Sequence, residues 1–187
     1  VVVAMLTLIP AALNQLKSYH LETACANNIA KIGQGLTGWA ANHNDTLPHS
    51  GPAVRWLATG DAPAASNSRG LYTLIEANLA PLDTFRCAAA DIACPPGQAQ
   101  AGDFASPCDI HYSYQHMLAG RSEQLSHGRE GKIILADRTP LATYAEHYPN
   151  RQHNASPNHA TGQNVLYNDG AVRWTTDADC GVGNDNI

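Results

Sequence analysis

Hydrophobic residues dominate the start of the chain and then recur at helical spacing. Residues 1–13 carry no charged side chain, and beyond them apolar residues return mainly at steps of three and four. Such a period places these residues on one face of a helix, which we predict over residues 1–44. The predicted face consists of Leu13, Leu16, Ala24, Ile29, Ile32, Leu36 and Trp39.

This predicted helix is longer than the domain that it enters. At ~1.5 Å per residue it would extend ~65 Å, which exceeds the diameter of a small domain. We therefore predict two parts: a protruding hydrophobic helix over 1–24, and a globular head over 25–187 that includes the second half of the helix. Pro10 predicts a helix kink or local melting, because proline lacks a backbone N–H and clashes with the preceding turn.

Glycines and polar residues shape the second half of the helix. Gly33, Gly35 and Gly38 lower its helical propensity, so that tertiary packing must hold it, and they permit close approach of a sheet. The helix is expected to stop near residues 42–45, before Pro48.

The remaining pattern predicts short elements separated by long irregular stretches. Residues 49–70, 86–109 and 139–163 are rich in Pro, Gly, Asn or Ser and are typical of loops. The fold class is therefore α+β, with a long N-terminal hydrophobic helix packed in its second half on a small antiparallel sheet. The expected elements are a short helix at 71–79 and strands at 110–118, 132–136, 164–167 and 171–174.

The last two predicted strands flank Asp169-Gly170. Asp-Gly between alternating strands is a strong signal for a two-residue hairpin, in which both central positions have positive φ.

Charge excludes one class of partner. Charged residues make up 14% of the chain and the net charge is −5. The eleven Lys and Arg residues are scattered, whereas nucleic-acid binding needs a clustered basic face. We expect no nucleic-acid partner.

The five cysteines leave several disulfide arrangements open. None forms a CxxC or CxxCH motif, so the zinc-ribbon, thioredoxin and c-type haem signatures are missing. Cys94 and Cys108 flank a loop that a disulfide would staple, and Cys25 on the helix is a candidate partner for Cys87. In that arrangement Cys180 takes part in neither disulfide. The alternative is that some cysteines stay as reduced, buried thiols.

His159, Asp137 and Asp169 form a possible metal-binding set. A histidine with two carboxylates suits Ca²⁺ or a transition metal if the three side chains converge. We favour a structural interpretation, in which Asp169 shapes its turn, His159 bonds a loop carbonyl and Asp137 caps a backbone turn. The sequence thus predicts no metal and no cofactor.

Motifs of known enzyme classes are missing as well. The chain contains no GxSxG, P-loop, GxGxxG or HExxH motif, and we expect no enzymatic activity. The tryptophans Trp39, Trp56 and Trp174 are expected to anchor the core or an interface. Surface or loop positions are expected for the other histidines, which are His20, His43, His49, His111, His116, His127, His147 and His153.

Four stretches of the chain together resemble one family. The run HATGQNVLYNDGAVRW at 159–174 has His159, nine residues and then Asp169-Gly170. It resembles the H-X9-DG signature of prepilin-type proteins, which are type IV pilin-like. CANNIAKIGQGLTGWAANHNDTLP at 25–48, TFRC at 84–87 and KIILAD at 132–137 are similar to further segments of that family, in the family's order.

The chain departs from the family's pattern in two places. The family's processing site and early Glu would lie upstream of Val1. TFRC is followed by Ala88-Ala89 where the family usually has Pro-Ser, which affects the expected conformation of that loop.

The resemblance implies a structural role. It implies a subunit of an extracellular type IV pilus-like filament at the cell surface, assembled through its N-terminal helix. The implied partners are copies of the same chain, forming a helical homo-oligomer, and an inner-membrane assembly platform. Before assembly, such a subunit is anchored in the inner membrane.

Two alternatives remain at this point. One is a minor pseudopilin of a type II secretion or uptake machine. The other is a membrane-anchored, metal-dependent enzyme or binding protein that uses Asp137, His159 and Asp169.

Overall fold

The computed structural model of the chain has the α+β architecture that the sequence predicts. It describes residues 2–49, 68–90, 102–104, 109–115, 124–125, 131–138, 156, 158–159, 161–177 and 180, with side chains from Ile9 onward. The elements are helices α1 (Val2–Asn42) and α2 (Arg69–Glu76), a 3₁₀ turn (Leu82–Phe85), and strands β1 (Tyr112–Tyr114), β2 (Ile133–Asp137), β3 (Gln163–Tyr167) and β4 (Val172–Thr175).

Helix α1 runs through Pro10 without interruption. The local melting that we predicted there is therefore wrong, while the kink stays a prediction. The missing hydrogen bond at a proline costs about 3 kcal/mol, but the next three residues (Ala11, Ala12 and Leu13) are strong helix formers. The helix ends where predicted, because Asn44 and Asp45 adopt left-handed φ values of 53° and 63°. Asn and Asp tolerate this region better than other non-glycine residues.

The two halves of α1 differ in burial. Every residue from Ile9 to His20 is exposed, and Leu13 and Leu16 remain 61% and 65% exposed. The fully buried positions begin at Cys25 and continue at the helical spacing that the sequence predicts, with Ile29, Ile32 and Leu36. Within the part of the chain described, no helix is both long enough and apolar enough to cross a membrane.

The sheet consists of four strands in the order β1-β2-β3-β4, and all neighbouring strands are antiparallel. The buried half of α1 lies across β3 and β4 and also contacts the 3₁₀ turn. The strand register shifts between Ile133 and Leu135. At this shift both Ile134 and Leu135 join the main core cluster with Leu166, although neighbouring strand residues ordinarily face opposite sides.

The β3–β4 hairpin lies where the sequence places it, but its turn is of another kind. Gly170 has φ of 84°, whereas Asp169 has no positive φ. Tyr167 N donates to Ala171 O, and Gly170 N donates to Tyr167 O. The loop therefore has three residues and ends in a left-handed glycine. The predicted two-residue turn with two positive φ values is wrong.

The helix glycines contact two different elements. A Cβ added at Gly33 would lie 3.0 Å from the Leu166 side chain on β3. The lack of a side chain at Gly33 therefore allows the close approach of the sheet that we predicted. At Gly35 and Gly38 a Cβ would instead lie 3.1 Å from Leu79 O and 3.3 Å from Leu79 Cδ2. The close approach at those two positions is made by the chain after α2 and not by the sheet.

The shorter elements agree with the sequence in position. The helix predicted at 71–79 is α2, Arg69–Glu76, and the chain leaves it through Asn78 at a φ of 56°. The strand predicted at 132–136 is β2, Ile133–Asp137. Of the strand predicted at 110–118, residues 112–114 form β1, and residues 116–118 lie outside the described part. Most of the predicted loops at 49–70, 86–109 and 139–163 lie outside it too.

We predict that Gly33→Val destabilises the head by about 1–3 kcal/mol, because it overpacks the contact between α1 and Leu166. Gln34→Val on the exposed side of the same turn is the matched control and should change stability by less than about 0.5 kcal/mol. Urea unfolding followed by circular dichroism measures both. Equal effects of the two substitutions would contradict the close contact between helix and sheet.

We predict a loss of stability at alkaline pH that depends on Tyr114. As a whole this residue is only partly buried, but its hydroxyl donates to Pro48 O at 2.9 Å. Burial raises the pKa of Tyr114 above its ordinary value of 10.0. A raised folded-state pKa gives stability that is fully present below about pH 10 and is lost as the pH rises towards the folded-state pKa.

Urea unfolding between about pH 9 and about pH 11 tests this sign. The wild type should lose stability more steeply with pH than Tyr114→Phe. Tyr19→Phe, which alters a side chain that is 69% exposed, should follow the wild type. If the stability of Tyr114→Phe falls with pH as steeply as that of the wild type, Tyr114 is not the cause of the alkaline loss of stability.

Candidate functional site at the junction of helix and sheet

A disulfide joins the helix to the segment after the 3₁₀ turn. Cys25 of α1 and Cys87 are bonded with a Cα–Cα distance of 5.1 Å and a sequence separation of 62 residues. This is one of the pairings that the sequence leaves open. Loop-closure entropy for a cross-link of this span is worth about 4 kcal/mol. Cys94 and Cys108 lie outside the described residues, and Cys180 Sγ accepts a hydrogen bond from Gln163 Nε2 at 3.3 Å.

Asp137 lies completely buried next to this disulfide. It ends β2, pairs with Tyr112 across the sheet and has no exposed surface. Its Oδ2 accepts hydrogen bonds from Asn164 N at 2.7 Å and Asn164 Nδ2 at 3.0 Å, and its Oδ1 accepts from Asn158 Nδ2 at 3.1 Å. A buried carboxylate is costly without such donors, so these bonds account for its place in the core.

The two asparagines also connect the carboxylate to neighbouring backbone. Asn158 Nδ2 donates to His111 O at 2.6 Å, just before β1. Asn164 Nδ2 lies 3.4 Å from Glu22 O on α1. Asp137 is therefore the centre of a polar network that links the helix, β1 and β3.

His159 completes the cluster. Its Nε2 lies 3.3 Å from Asp137 Oδ2 and 3.6 Å from Cys87 Sγ, and the residue is 7% exposed. Trp174 covers the imidazole edge-on, with a centroid distance of 5.3 Å. We expected His159 to hydrogen-bond a loop carbonyl. Its Nε2 instead lies beside the Asp137 carboxylate and the Cys87 sulfur.

Asp169 does not belong to this cluster. It lies exposed beyond Tyr167, which pairs with Ile133 at the opposite end of β2 from Asp137. Ile133 and Asp137 are ~13 Å apart along β2, and Asp169 lies beyond the Ile133 end of that strand. Asp169 Oδ1 accepts from Ala171 N at 2.9 Å, so it shapes the turn with Gly170. The possible metal set of His159, Asp137 and Asp169 therefore does not converge at its third member, which takes the turn-shaping role that the structural interpretation gave it.

Two aromatic side chains beside the cluster are buried. His111 lies in a loop just before β1, which is one of the two positions expected for it, but it is buried and not at the surface. Its Nδ1 accepts a hydrogen bond from Cys87 N at 3.0 Å. Burial, and then the negative charge of Asp137, raise the pKa of Tyr112 well above its usual range. The side chain of Asn28 opposes that shift, but no partner meets hydrogen-bonding geometry at the Tyr112 hydroxyl within the described residues.

Of the other side chains that the sequence singles out, His43 stacks on Trp39 at 3.7 Å between centroids, and both lie at the end of α1. His20, His43 and His49 are exposed, as expected. Trp56, His116, His127, His147 and His153 lie outside the described residues.

Cys25, Cys87, Asp137 and His159 together bring four side chains of metal-ligand type to one point. Their potential ligand atoms all lie within 4.8 Å of one another, and all four residues are buried. Sequence reasoning singled out each of them but not their convergence, and it missed Asn158, Asn164 and His111. The available signal was the pair of amides, Gln163-Asn164, at the start of an otherwise apolar strand.

We predict that Asp137→Asn destabilises the fold by about 2–4 kcal/mol, because the new amide group would face the donors of Asn158 and Asn164. Asp169→Asn should cost less than about 0.5 kcal/mol, because asparagine serves equally well in this exposed turn. The free energy of unfolding in urea measures both. A stable Asp137→Asn protein would show that the network does not hold the junction.

Comparison with known proteins leaves the interpretation to the chain itself. No protein-family model matches it, and neither a curated protein nor a solved structure does. Its own residues and geometry therefore carry the functional argument.

Proposed function

We propose that the chain is a structural subunit of an extracellular type IV pilus-like filament, assembled through its N-terminal helix. The observation that carries the proposal is the uncovered apolar stripe on the projecting half of α1. Ile9, Leu13 and Leu16 are 57%, 61% and 65% exposed. Their spacing of four and three residues places them on one face of the helix.

A simple pair of helices held together by this stripe alone would be marginal. Burying the remaining exposed surface of these three side chains on both helices would gain about 1–2 kcal/mol each, or about 6–12 kcal/mol for the pair. Association itself costs an estimated 4–15 kcal/mol. A helix that contacts the helices of several neighbouring subunits, or that lies in lipid before assembly, buries several of its faces at once. This comparison favours a polymer over a dimer.

The head holds the exposed half of α1 in a fixed position. The exposed half of α1 passes directly into the buried half, with Cys25 bonded to Cys87 where full burial begins. The sheet and the disulfide therefore fix the direction in which the exposed helix leaves the head. A fixed direction suits a subunit whose helices must pack side by side.

The stretches in which we see a resemblance to prepilin-type proteins meet at the junction. Each of the four stretches that carry the resemblance, at 25–48, 84–87, 132–137 and 159–174, contributes one residue to the buried cluster. These residues are Cys25, Cys87, Asp137 and His159. Segments far apart in sequence thus resemble the family at the places where they meet, which supports the proposal.

The proposal includes a location and partners. The subunit is held in the inner membrane before assembly and reaches the cell surface in the filament. An assembly platform receives it, and further copies of the chain cover its helix.

The stripe can be tested by substitution. We expect Ile9→Gln/Leu13→Gln/Leu16→Gln to abolish assembly, because it removes the apolar face while keeping good helix formers. Asn14→Gln/Ser18→Gln, on the opposite side of the same exposed helix, is the matched control and should assemble like the wild type. Electron microscopy of detergent-free preparations and sedimentation velocity measure the outcome.

Head folding should be unchanged in both variants, as judged by their urea unfolding. A triple variant that still forms filaments would refute assembly through this face. Wild-type protein that stays dispersed in both assays would refute the filament itself.

A further inference from the structure

We propose that Cys25, Cys87, Asp137 and His159 form a zinc site once the disulfide between Cys25 and Cys87 is reduced. The site would hold one Zn²⁺ through two thiolates, one carboxylate oxygen and one imidazole nitrogen. The proposal does not rest on the filament function, because it concerns only the junction inside the head.

The distances around His159 already suit a tetrahedral ion. Zinc bonds of about 2.0–2.3 Å place tetrahedral ligand atoms ~3.3–3.8 Å apart. His159 Nε2 lies 3.3 Å from Asp137 Oδ2 and 3.6 Å from Cys87 Sγ, so one nitrogen faces two other ligand atoms at the required spacing. The Cys25 sulfur lies within 4.8 Å of the remaining ligand atoms.

The disulfide is the one part of the cluster that prevents coordination. Bonded sulfur atoms lie closer together than two ligands of the same ion, and zinc is bound by thiolates and not by a disulfide. Once the bond is broken, the Cys25 side chain on α1 and the Cys87 side chain after the 3₁₀ turn are free to separate. The oxidised and the zinc-bound states therefore exclude each other.

Neighbouring residues are placed to orient the ligands. Asn158 and Asn164 donate to the Asp137 carboxylate, at 3.1 Å from Nδ2 of Asn158 and 2.7 Å from the backbone N of Asn164. His111 fixes the backbone beside Cys87 through its bond to Cys87 N. Such outer contacts fix ligand orientation in zinc sites.

The ligand types decide which ion is expected. Ca²⁺ and Mg²⁺ take oxygen ligands, whereas two sulfurs, one nitrogen and one oxygen suit a borderline ion such as Zn²⁺. Four buried protein ligands also leave no open position, which is typical of a structural site. We assign the site a structural role and no hydrolytic chemistry.

The redox step balances as a dithiol–disulfide exchange. The S–S bond breaks on accepting two electrons and two protons from an external dithiol, which is itself oxidised to a disulfide. The two new thiols then release two protons as Zn²⁺ binds. In the reverse direction, an oxidising disulfide takes two electrons from the dithiolate and displaces the ion.

Zinc titration of the full chain tests the proposal. The protein is reduced with a phosphine, which becomes a phosphine oxide by taking oxygen from water. The reagent is then removed under anaerobic conditions, and the reduced protein is titrated with Zn²⁺ in competition with a chromophoric chelator. We expect one Zn²⁺ per reduced chain, none per oxidised chain, and thiolate-to-metal charge-transfer absorption when Co²⁺ replaces Zn²⁺.

Variants assign the ligands. His159→Gln should weaken zinc binding at least ~10-fold, whereas His20→Gln, at an exposed position of α1, should leave it unchanged. Cys94→Ser/Cys108→Ser/Cys180→Ser removes the other thiols and should retain the single ion. Circular dichroism of each reduced protein, with and without Zn²⁺, should show that the bound form has the secondary structure of the oxidised form.

Four results would overturn the site: no zinc bound by the reduced wild type, equal binding by oxidised protein, unchanged binding by His159→Gln, or loss of the ion in the triple serine variant. A reduced chain that unfolds and does not regain its structure with zinc would overturn it as well.

Discussion

The unequal lengths of the helix and the sheet determine most of this structure. Helix α1 has 41 residues and is ~62 Å long, whereas β3 has five and spans only ~17 Å. A strand of that length covers only about a quarter of the helix. The 3₁₀ turn and α2 also contact the second half of α1, and the first half stays in solvent. The buried positions from Cys25 to Leu36 and the exposed positions from Ile9 to Tyr19 follow from this mismatch. An apolar stripe in water is unfavourable, and this mismatch is the physical basis of the proposed assembly.

The point where the helix leaves the sheet is reinforced chemically. The disulfide from Cys25 to Cys87, the buried carboxylate of Asp137 and the imidazole of His159 meet there. Apolar packing alone would hold the buried half of α1 along its length. The covalent bond and the hydrogen-bonded carboxylate add a fixed point close to the boundary between the buried and exposed halves. In the proposed filament, force applied along the helix would reach the head at this junction.

Sequence patterns predicted the elements well, because α1, β2 and the β3–β4 hairpin depend on local periodicity and composition. Patterns failed where long-range packing decides the outcome. The Asp169-Gly170 pair fits both a two-residue and a three-residue turn, and only strand pairing selects between them. Gly35 and Gly38 contact the chain after α2 because of how that segment is placed. Asn158 has no local signature, since its role depends on a carboxylate 21 residues away in sequence. The amide of Asn164 stands out in an apolar strand, but nothing local indicates its partner 27 residues away.

Amide hydrogen exchange over residues 9–20 tests the central claim most directly. In dispersed protein, an isolated and exposed stretch of helix frays and exchanges quickly. In assembled material the account predicts slow exchange over the same residues, with exchange in β2 and β3 unchanged. If residues 9–20 exchange equally fast in the two states, the projecting helix is not what the assembly buries, and the account is contradicted.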